Sequence, residues 1–181
     1  MPPQITDVST LRLLARDNIE SSAVTSGYSA DAKEVVGQLN NALATGVVCF
    51  LRYRRHHFMA RGIDAKSTAD EFLLHANEQL SNVDLLADRI VQLGGEPDFA
   101  PNRLVARSQA EYVAGASLPE MIREDLVAER IAIDSHRDVI SYLGDKDPTT
   151  SEMLKGFLAT GEGRASRLSE LLPPAPPAPI G

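Results

Sequence analysis

Four histidines and one cysteine are the side chains of this sequence best suited to bind a transition metal. His56 and His57 are adjacent, and His75 follows later in the chain, which raises the question of a zinc site. Neighbouring positions on a helix point about 100° apart, and no third or fourth ligand stands at a spacing typical of zinc. The sequence therefore predicts packed or solvated histidines rather than a zinc centre, with His136 in a peripheral position.

The remaining chemical motifs are equally weak. Cys49 lies in an apolar stretch and is predicted to be a buried, unreactive thiol, and a single cysteine excludes an internal disulfide. The segment Gly161-Glu162-Gly163 lacks the preceding strand that a dinucleotide-binding fingerprint requires. No nucleophile elbow supports a Ser-His-Asp triad. The sequence thus gives no support to nucleotide binding or to hydrolysis by a serine nucleophile.

The charge pattern bears on possible partners. The net charge of −7 argues against nucleic acid as a partner, because binding normally needs a basic face or tail. The only basic cluster, residues 52–57, is predicted to be a solvated helix face, with a local anion or partner site as the alternative. No signal peptide is recognisable, and no apolar run is predicted to span a bilayer, so we expect a cytoplasmic protein without membrane contact.

Apolar residues at helical spacing predict an all-α protein with four long helices. A leader with a short helix near 11–19 precedes them, and a Pro-rich tail follows. The predicted domains are a leader over 1–30, a four-helix bundle over 31–172 and a tail over 173–181. The predicted long helices cover about 32–59, 67–93, 118–143 and 151–172.

The longest interruption, residues 96–117, predicts a crossover between the second and third long helices. A connection of this length allows the third helix to start at the far end of the bundle, which predicts that helices two and three are parallel neighbours. Because the chain has no Trp and only 5% aromatic residues, the core is predicted to be aliphatic.

Several segments resemble the helices of bacterioferritins and their Dps-like relatives. The similarity covers roughly residues 32–172 and implies a ferritin-like bundle with one crossover. The segments that carry it are 39–48 (LNNALATGVV), 78–84 (EQLSNVD), 93–97 (LGGEP), 125–129 (DLVAE) and 161–164 (GEGR).

The resemblance also implies where a di-iron centre would lie. Such centres take one Glu from each of two helices and Glu-x-x-His from each of the other two. In this sequence the ligand positions fall on Gly46 in the first helix, Gln79 and Asn82 in the second, Glu129 in the third, and Gly161 and Arg164 in the fourth. Only Glu129 keeps a liganding side chain, so the resemblance implies a degenerate site without bound metal. The haem-ligating Met position falls on or near Leu80, which implies that haem is absent as well.

The substitutions suggest a replacement for the metal. A single buried carboxylate at Glu129 would be costly, and Arg164 is placed to neutralise it. We therefore expect a buried ion pair between Glu129 and Arg164, with Gln79 and Asn82 hydrogen-bonding around it. Gly46 and Gly161 are expected to make room for the guanidinium group.

Three functions follow from this interpretation. The first is a structural, catalytically silent ferritin-like subunit of a homo-oligomer, or of an assembly mixed with an active paralogue, linked to iron homeostasis. The second is an iron-oxidising storage protein that binds iron at a displaced site, with Glu78, Glu129, Glu162 and Asp84 as candidate ligands. The third is small-molecule binding in the vacated bundle interior.

Overall fold

The computed structural model describes residues 6–17, 19–20, 23–62 and 65–172, and all regular elements within them are helices. The predicted Pro-rich tail over 173–181 lies outside the described residues. The helices are α1 (Val8–Asp17), α2 (Ala32–Met59), α3 (Ala65–Gln92), α4 (Pro101–Arg107), α5 (Leu118–Leu143) and α6 (Pro148–Glu170).

The starts of three of the four long helices are fixed by side-chain caps. Asp31 accepts hydrogen bonds from the first backbone amides of α2, Ser117 does so for α5, and Asp147 does so for α6. Each cap satisfies an amide that the first helical turn leaves without a partner. The predicted limits of α2 and α5 are confirmed.

Other limits differ from the prediction. The leader helix begins at Val8 rather than near residue 11, because Asp7 caps it by accepting from the amides of Ser9 and Thr10. α3 covers Ala65–Gln92, so it begins two residues before the predicted start near residue 67. The crossover contains a short helix, α4, that periodicity did not reveal because it has only seven residues.

The long helices form two antiparallel pairs, α2 with α3 and α5 with α6. The pairs join where α2 packs on α5 and α3 packs on α6. Tyr53 contacts Phe72 and Gly46 lies beside Val83, so α2 runs antiparallel to α3. Tyr53 contacts Glu129 and His56 contacts Asp125, so α2 also runs antiparallel to α5. α3 and α5 are therefore parallel as predicted, but they lie diagonally across the bundle, so the prediction that they are neighbours is wrong.

The leader is attached at one end of the bundle. The Ala23 amide donates to the Gln92 carbonyl, and the Tyr28 hydroxyl donates to Asp147 at 2.9 Å. Asp147 also accepts from Arg89. α1 buries none of its residues.

The core consists of two apolar clusters separated by a polar layer. The first cluster contains Val35, Leu39, Leu43, Val83, Leu86, Ile90, Leu93, Leu143, Leu154 and Phe157. The second contains Cys49, Tyr53, Phe72, Ala76, Ala110, Met121, Ile122, Leu126, Ala128 and Leu168. Gly46, Gln79, Glu129 and Arg164 lie between the two clusters along their helices, so every long helix carries a polar or glycine position into the middle of the core.

Two expectations about α2 need correction. Arg52 and His56 are buried, so the basic cluster 52–57 is not a solvated face throughout. α2 also has the length and hydropathy of a membrane-spanning helix, contrary to the expectation from the sequence. Half of the qualifying stretch is buried in the bundle, as in an ordinary core helix, so this is weak evidence for a membrane span.

Candidate functional site

The candidate site is the polar layer in the middle of the bundle, where all four long helices meet. α5 supplies Glu129 and α6 supplies Arg164, with exposed fractions of 1% and 2%. α3 supplies Gln79, which is also buried. Because Glu129 and Arg164 are almost completely buried, their charges must be satisfied mainly by protein groups.

The predicted ion pair between Glu129 and Arg164 is present. Arg164 Nε lies 3.0 Å from Glu129 Oε1, and Arg164 Nη2 lies 3.1 Å from Oε2. This two-point contact matches the planar fork of a guanidinium to a carboxylate, which makes it strong and directional.

Two uncharged groups complete the surroundings of the carboxylate. The Tyr53 hydroxyl donates to Glu129 Oε1 at 2.7 Å, and the Gln79 amide donates to the same oxygen at 3.3 Å. Glu129 therefore accepts from α2, α3 and α6 at once. The contact from Gln79 was predicted and is confirmed.

Tyr53 was missed by the sequence interpretation. It stands seven residues after Gly46, which is two helical turns, so both positions face the same side of α2. That spacing was a usable signal. Tyr53 was nevertheless overlooked, because it lies within the basic cluster 52–57, which was predicted to be a solvated helix face.

Asn82 does not join the network. Its amide makes no hydrogen bond to Glu129 and instead lines a small cavity with Gly46, Cys49, Gln79 and His136. The cavity measures about 20 Å³, which is enough for one water molecule and far below the volume of an organic ligand.

The two glycines have different surroundings. A Cβ at position 46 would lie 2.8 Å from Val83 Cγ2, so Gly46 makes room for Val83, and the prediction that it accommodates the guanidinium is wrong. A Cβ at Gly161 would lie 3.6 Å from Glu129 Oε2 and 3.7 Å from Arg164 Nη2. These are ordinary contacts, so Gly161 borders the ion pair and only a larger side chain would disturb it.

The acidic candidates for a displaced metal site do not converge. Glu78 accepts from Arg164 Nη1 at 3.1 Å, which sequence reasoning did not foresee because it ignored the reach of a guanidinium. Glu162 is exposed and binds Arg137 at 2.6 Å. Asp84 is exposed. Within the described residues, no group of three His, Cys, Asp or Glu side chains is placed to hold a metal ion.

The electrostatics keep Arg164 charged and Tyr53 protonated. Burial acts to lower the pKa of Arg164, but the Glu129 carboxylate outweighs it and raises that pKa above its usual value. Burial and then Glu129 raise the pKa of Tyr53, so the phenol keeps its proton and donates. Burial also raises the pKa of Cys49 to about 12, in keeping with the predicted unreactive thiol.

The histidines near the layer are uncharged at neutral pH. Burial, followed by the charge of Arg164, lowers the pKa of His75 to about 4. Burial lowers the pKa of His136 to about 4 as well. His75 packs edge-on against Tyr53 with 5.3 Å between ring centroids, and His136 packs on Phe157.

A di-iron centre does not fit this set of residues. Among the described residues, Glu129 is the only fully buried carboxylate in the layer, and both of its oxygens already accept hydrogen bonds from Arg164. A guanidinium has no lone pair to offer a metal and repels a cation. Leu80, on or near which the resemblance places the family's haem ligand, is exposed.

Sequence comparison places most of the chain in one family. The model of the ferritin-like domain family matches residues 36–173. A nutrient stress-induced DNA-binding protein from a Synechococcus strain is 30% identical over 141 residues, which cover 75% of this chain and 79% of the relative. The DNA protection during starvation protein 1 of Deinococcus radiodurans is 29% identical over 154 residues, covering 77% of this chain and 70% of the relative.

Solved structures agree with this assignment. The bacterioferritin-related protein of Bacteroides fragilis, described as a dodecameric thioferritin, aligns with a TM-score of 0.75 at 26% identity, over 77% of this chain and 84% of that one. Dps from Thermosynechococcus elongatus aligns with a TM-score of 0.76 at 21% identity, over 79% and 92% of the two chains, and at that identity shows the fold alone. The chain therefore belongs to the ferritin-like domain family.

Proposed function

We propose that this protein is a structural ferritin-like subunit in which a buried ion pair has replaced the di-iron centre. The observation that carries the proposal is the two-point contact between Arg164 and Glu129, at 3.0 and 3.1 Å, in the middle of the bundle. By the family resemblance, Gly46, Gln79, Asn82, Gly161 and Arg164 stand at former ligand positions. Its role would then lie in an assembly linked to iron homeostasis rather than in iron oxidation.

The replacement extends beyond the loss of ligands. Val83 fills the space beside Gly46, Tyr53 and Gln79 donate to Glu129, and Arg164 supplies the positive charge. Random loss would leave unpaired charge and empty space, whereas here the carboxylate is satisfied. These contacts support a site rebuilt for stability.

An assembly is the setting we propose for such a subunit. The outer faces of α2 and α3 expose large apolar side chains, including Leu51, Phe58, Leu74 and Leu85. Large apolar groups on an outer face commonly mark contact surfaces, and the Bacteroides fragilis relative is described as dodecameric. We propose a homo-oligomer or a mixed assembly with an active paralogue, located in the cytoplasm.

The competing functions have less support. Iron oxidation at a displaced site would need Glu78, Glu129 and Glu162 to share a cation, but Arg164 and Arg137 already bind them. Small-molecule binding in the interior would need far more space than about 20 Å³. DNA binding occurs in the names of relatives, but the net charge of −7 disfavours it here.

The proposal is tested by loading the purified oligomer with ferrous iron under anaerobic conditions and then admitting oxygen. We expect oxidation no faster than in buffer alone and no iron retained after desalting. Rapid oxidation with about two irons per chain, the stoichiometry of a di-iron centre, would overturn the proposal.

A rebuilt variant provides the matched control. Gly46→Glu, Gln79→Glu, Asn82→His, Gly161→Glu and Arg164→His together restore the family's ligand pattern. Val83→Ala is included because a Cβ at position 46 would lie 2.8 Å from Val83 Cγ2. If this variant oxidises iron and the natural chain does not, the difference is due to the ligand positions.

A further inference from the structure

One face of α2 holds the crossover through three basic side chains. We call residues 109–117 the crossover segment. Arg52 Nη1 donates to the Glu111 carbonyl at 2.7 Å, and Arg55 Nη1 donates to the Ala114 carbonyl. His56 Nε2 lies 3.2 Å from the Val113 carbonyl and 3.1 Å from the Ala114 carbonyl. The segment is therefore attached mainly through its backbone oxygens.

The other nitrogen of the His56 ring faces a buried carboxylate. His56 Nδ1 lies 2.8 Å from Asp125 Oδ2, and Arg52 Nε donates to Asp125 Oδ1 at 2.9 Å. His56 and Asp125 are both fully buried, and Arg52 is 1% exposed. No water can therefore replace a missing partner at the ring without a structural opening.

Every polar partner of the His56 ring is a hydrogen-bond acceptor. Carbonyl oxygens cannot donate, and a carboxylate cannot donate either, whereas a neutral imidazole carries only one N–H. Both ring nitrogens are satisfied only if one additional proton lies between Nδ1 and Asp125 Oδ2. Burial raises the pKa of Asp125, partly offset by His56 and Arg52, which is consistent with a proton held by this pair.

Other groups around the ring do not change this requirement. From α2 the charged neighbours are Arg52 and Arg55, and from α5 the neighbour is Asp125. From α3 the ring meets Phe72, which is uncharged, with 5.6 Å between centroids. The crossover segment presents carbonyl groups. None of these groups is seen to donate a hydrogen bond to a ring nitrogen, since the arginines donate to Asp125 and to carbonyls of the segment.

We propose that His56 and Asp125 form a proton-dependent clasp that holds the crossover segment on the bundle. With the proton bound, Nδ1 is satisfied by Asp125 and the Nε2 N–H donates to Val113 and Ala114. When the proton is lost, the ring has one N–H but still has acceptors beside both of its nitrogens. The N–H then stays on Nδ1 and donates to Asp125, and the hydrogen bonds from Nε2 to the segment are lost. The clasp therefore closes in acid and loosens as the pH rises.

The test follows amide hydrogen exchange of residues 109–117 in the intact oligomer from about pH 6 to about pH 9, corrected for the intrinsic rate. Because opening releases one proton, we expect the corrected opening equilibrium to rise by up to about tenfold per pH unit. Peptides from the middle of α2 should show no such rise. A pH-independent opening of the segment would overturn the proposal.

Asp125→Asn is the most informative variant. Its amide oxygen can accept from Arg52 while its N–H donates to Nδ1 of a neutral His56, whose Nε2 N–H still reaches the segment. In this variant Arg52, neutral His56 and the introduced amide together carry one net positive charge. Arg52, protonated His56 and Asp125 carry the same net charge in the unmodified protein, but the variant has no titrating proton. At every pH, we expect the protection of residues 109–117 from hydrogen exchange to stay near the value that the unmodified protein shows at acid pH. A pH dependence as steep as that of the unmodified protein would contradict the clasp.

Two histidine variants complete the comparison. His56→Gln should leave the segment weakly protected at all pH values. His57→Gln is the matched control, because His57 Nδ1 binds the Ala69 carbonyl of α3 and not the segment. It should reproduce the behaviour of the unmodified protein, and loss of the pH dependence in this control would show that the effect does not come from His56.

Discussion

Two carboxylates one helical turn apart on α5, Glu129 and Asp125, are both buried and both bind an arginine, but their other partners differ. Glu129 binds Arg164 and accepts from a phenol and an amide. Asp125 binds Arg52 and shares a contact with an imidazole. The partners of Glu129 keep their protonation state near neutral pH, whereas an imidazole can change it.

The difference shows how neighbouring positions of one helix can serve separate purposes. Glu129 connects all four long helices and sits where the family resemblance places a metal ligand. Asp125 connects α5 to α2 and, through His56, to the crossover segment. The first network is therefore expected to be permanent and the second to respond to pH.

The largest expected effect comes from removing Arg164. Arg164→Leu leaves Glu129 buried without a compensating charge and should lower the free energy of unfolding by about 3–5 kcal/mol. Arg52→Leu should cost less, because His56 still faces Asp125. Urea unfolding at a fixed protein concentration measures both losses, since an oligomer's stability depends on concentration.

A double substitution sharpens this result. Glu129→Leu combined with Arg164→Leu removes both buried charges and should recover much of the stability lost by Arg164→Leu alone. If the double variant is as unstable as the sum of the single variants, the two side chains do not act as a pair, and the comparison fails.

The next effect distinguishes Tyr53, the uncharged donor to Glu129, from His56, the partner of Asp125. Tyr53→Phe removes one hydrogen bond to a buried carboxylate and should cost about 1.5–3 kcal/mol. That cost should be the same at about pH 6 and about pH 9, because the pKa of Tyr53 is raised above this range. Thermal unfolding at both pH values measures it, and a marked pH dependence would show that the network around Glu129 also titrates.

A smaller effect is expected on the acid side. Burial lowers the pKa of His75 and His136 to about 4, against about 6.5 when unfolded, so the unfolded chain binds protons first as the pH falls. Their contribution to stability is complete above about pH 6.5 and declines towards about pH 4, by on the order of 1 kcal/mol or more per histidine. His75→Gln should flatten the decline of Tm over this range, and an unchanged slope would refute the assignment.

The smallest effects come from glycines. Gly156 has open space around it, so Gly156→Ala should stabilise α6 by up to about 1 kcal/mol. Gly46→Ala should not, because its Cβ would lie 2.8 Å from Val83 Cγ2. In a Val83→Ala background, Gly46→Ala should stabilise the helix, and Tm measurements on the single and double variants would show this. A gain at Gly46 without the second change would mean that Val83 moves freely.

The sequence was sufficient for the four long helices because apolar residues recur at helical spacing in each of them. It was also sufficient for the Glu129–Arg164 pair, because the resemblance fixed the register of α5 relative to α6. It could not place Tyr53 or Glu78, since their contacts depend on side-chain reach between helices. It misjudged Arg52 and His56, because charge in a helix is normally solvated, and only the fold shows that the crossover covers them.

The most direct test of the central claim is a crystal structure of the protein soaked anaerobically in ferrous iron, with anomalous data collected at the iron edge. The account predicts no anomalous peak beside Glu129 and an Arg164 guanidinium still bound to both carboxylate oxygens. An iron peak between Glu129 and Glu78, with Arg164 turned away, would contradict it.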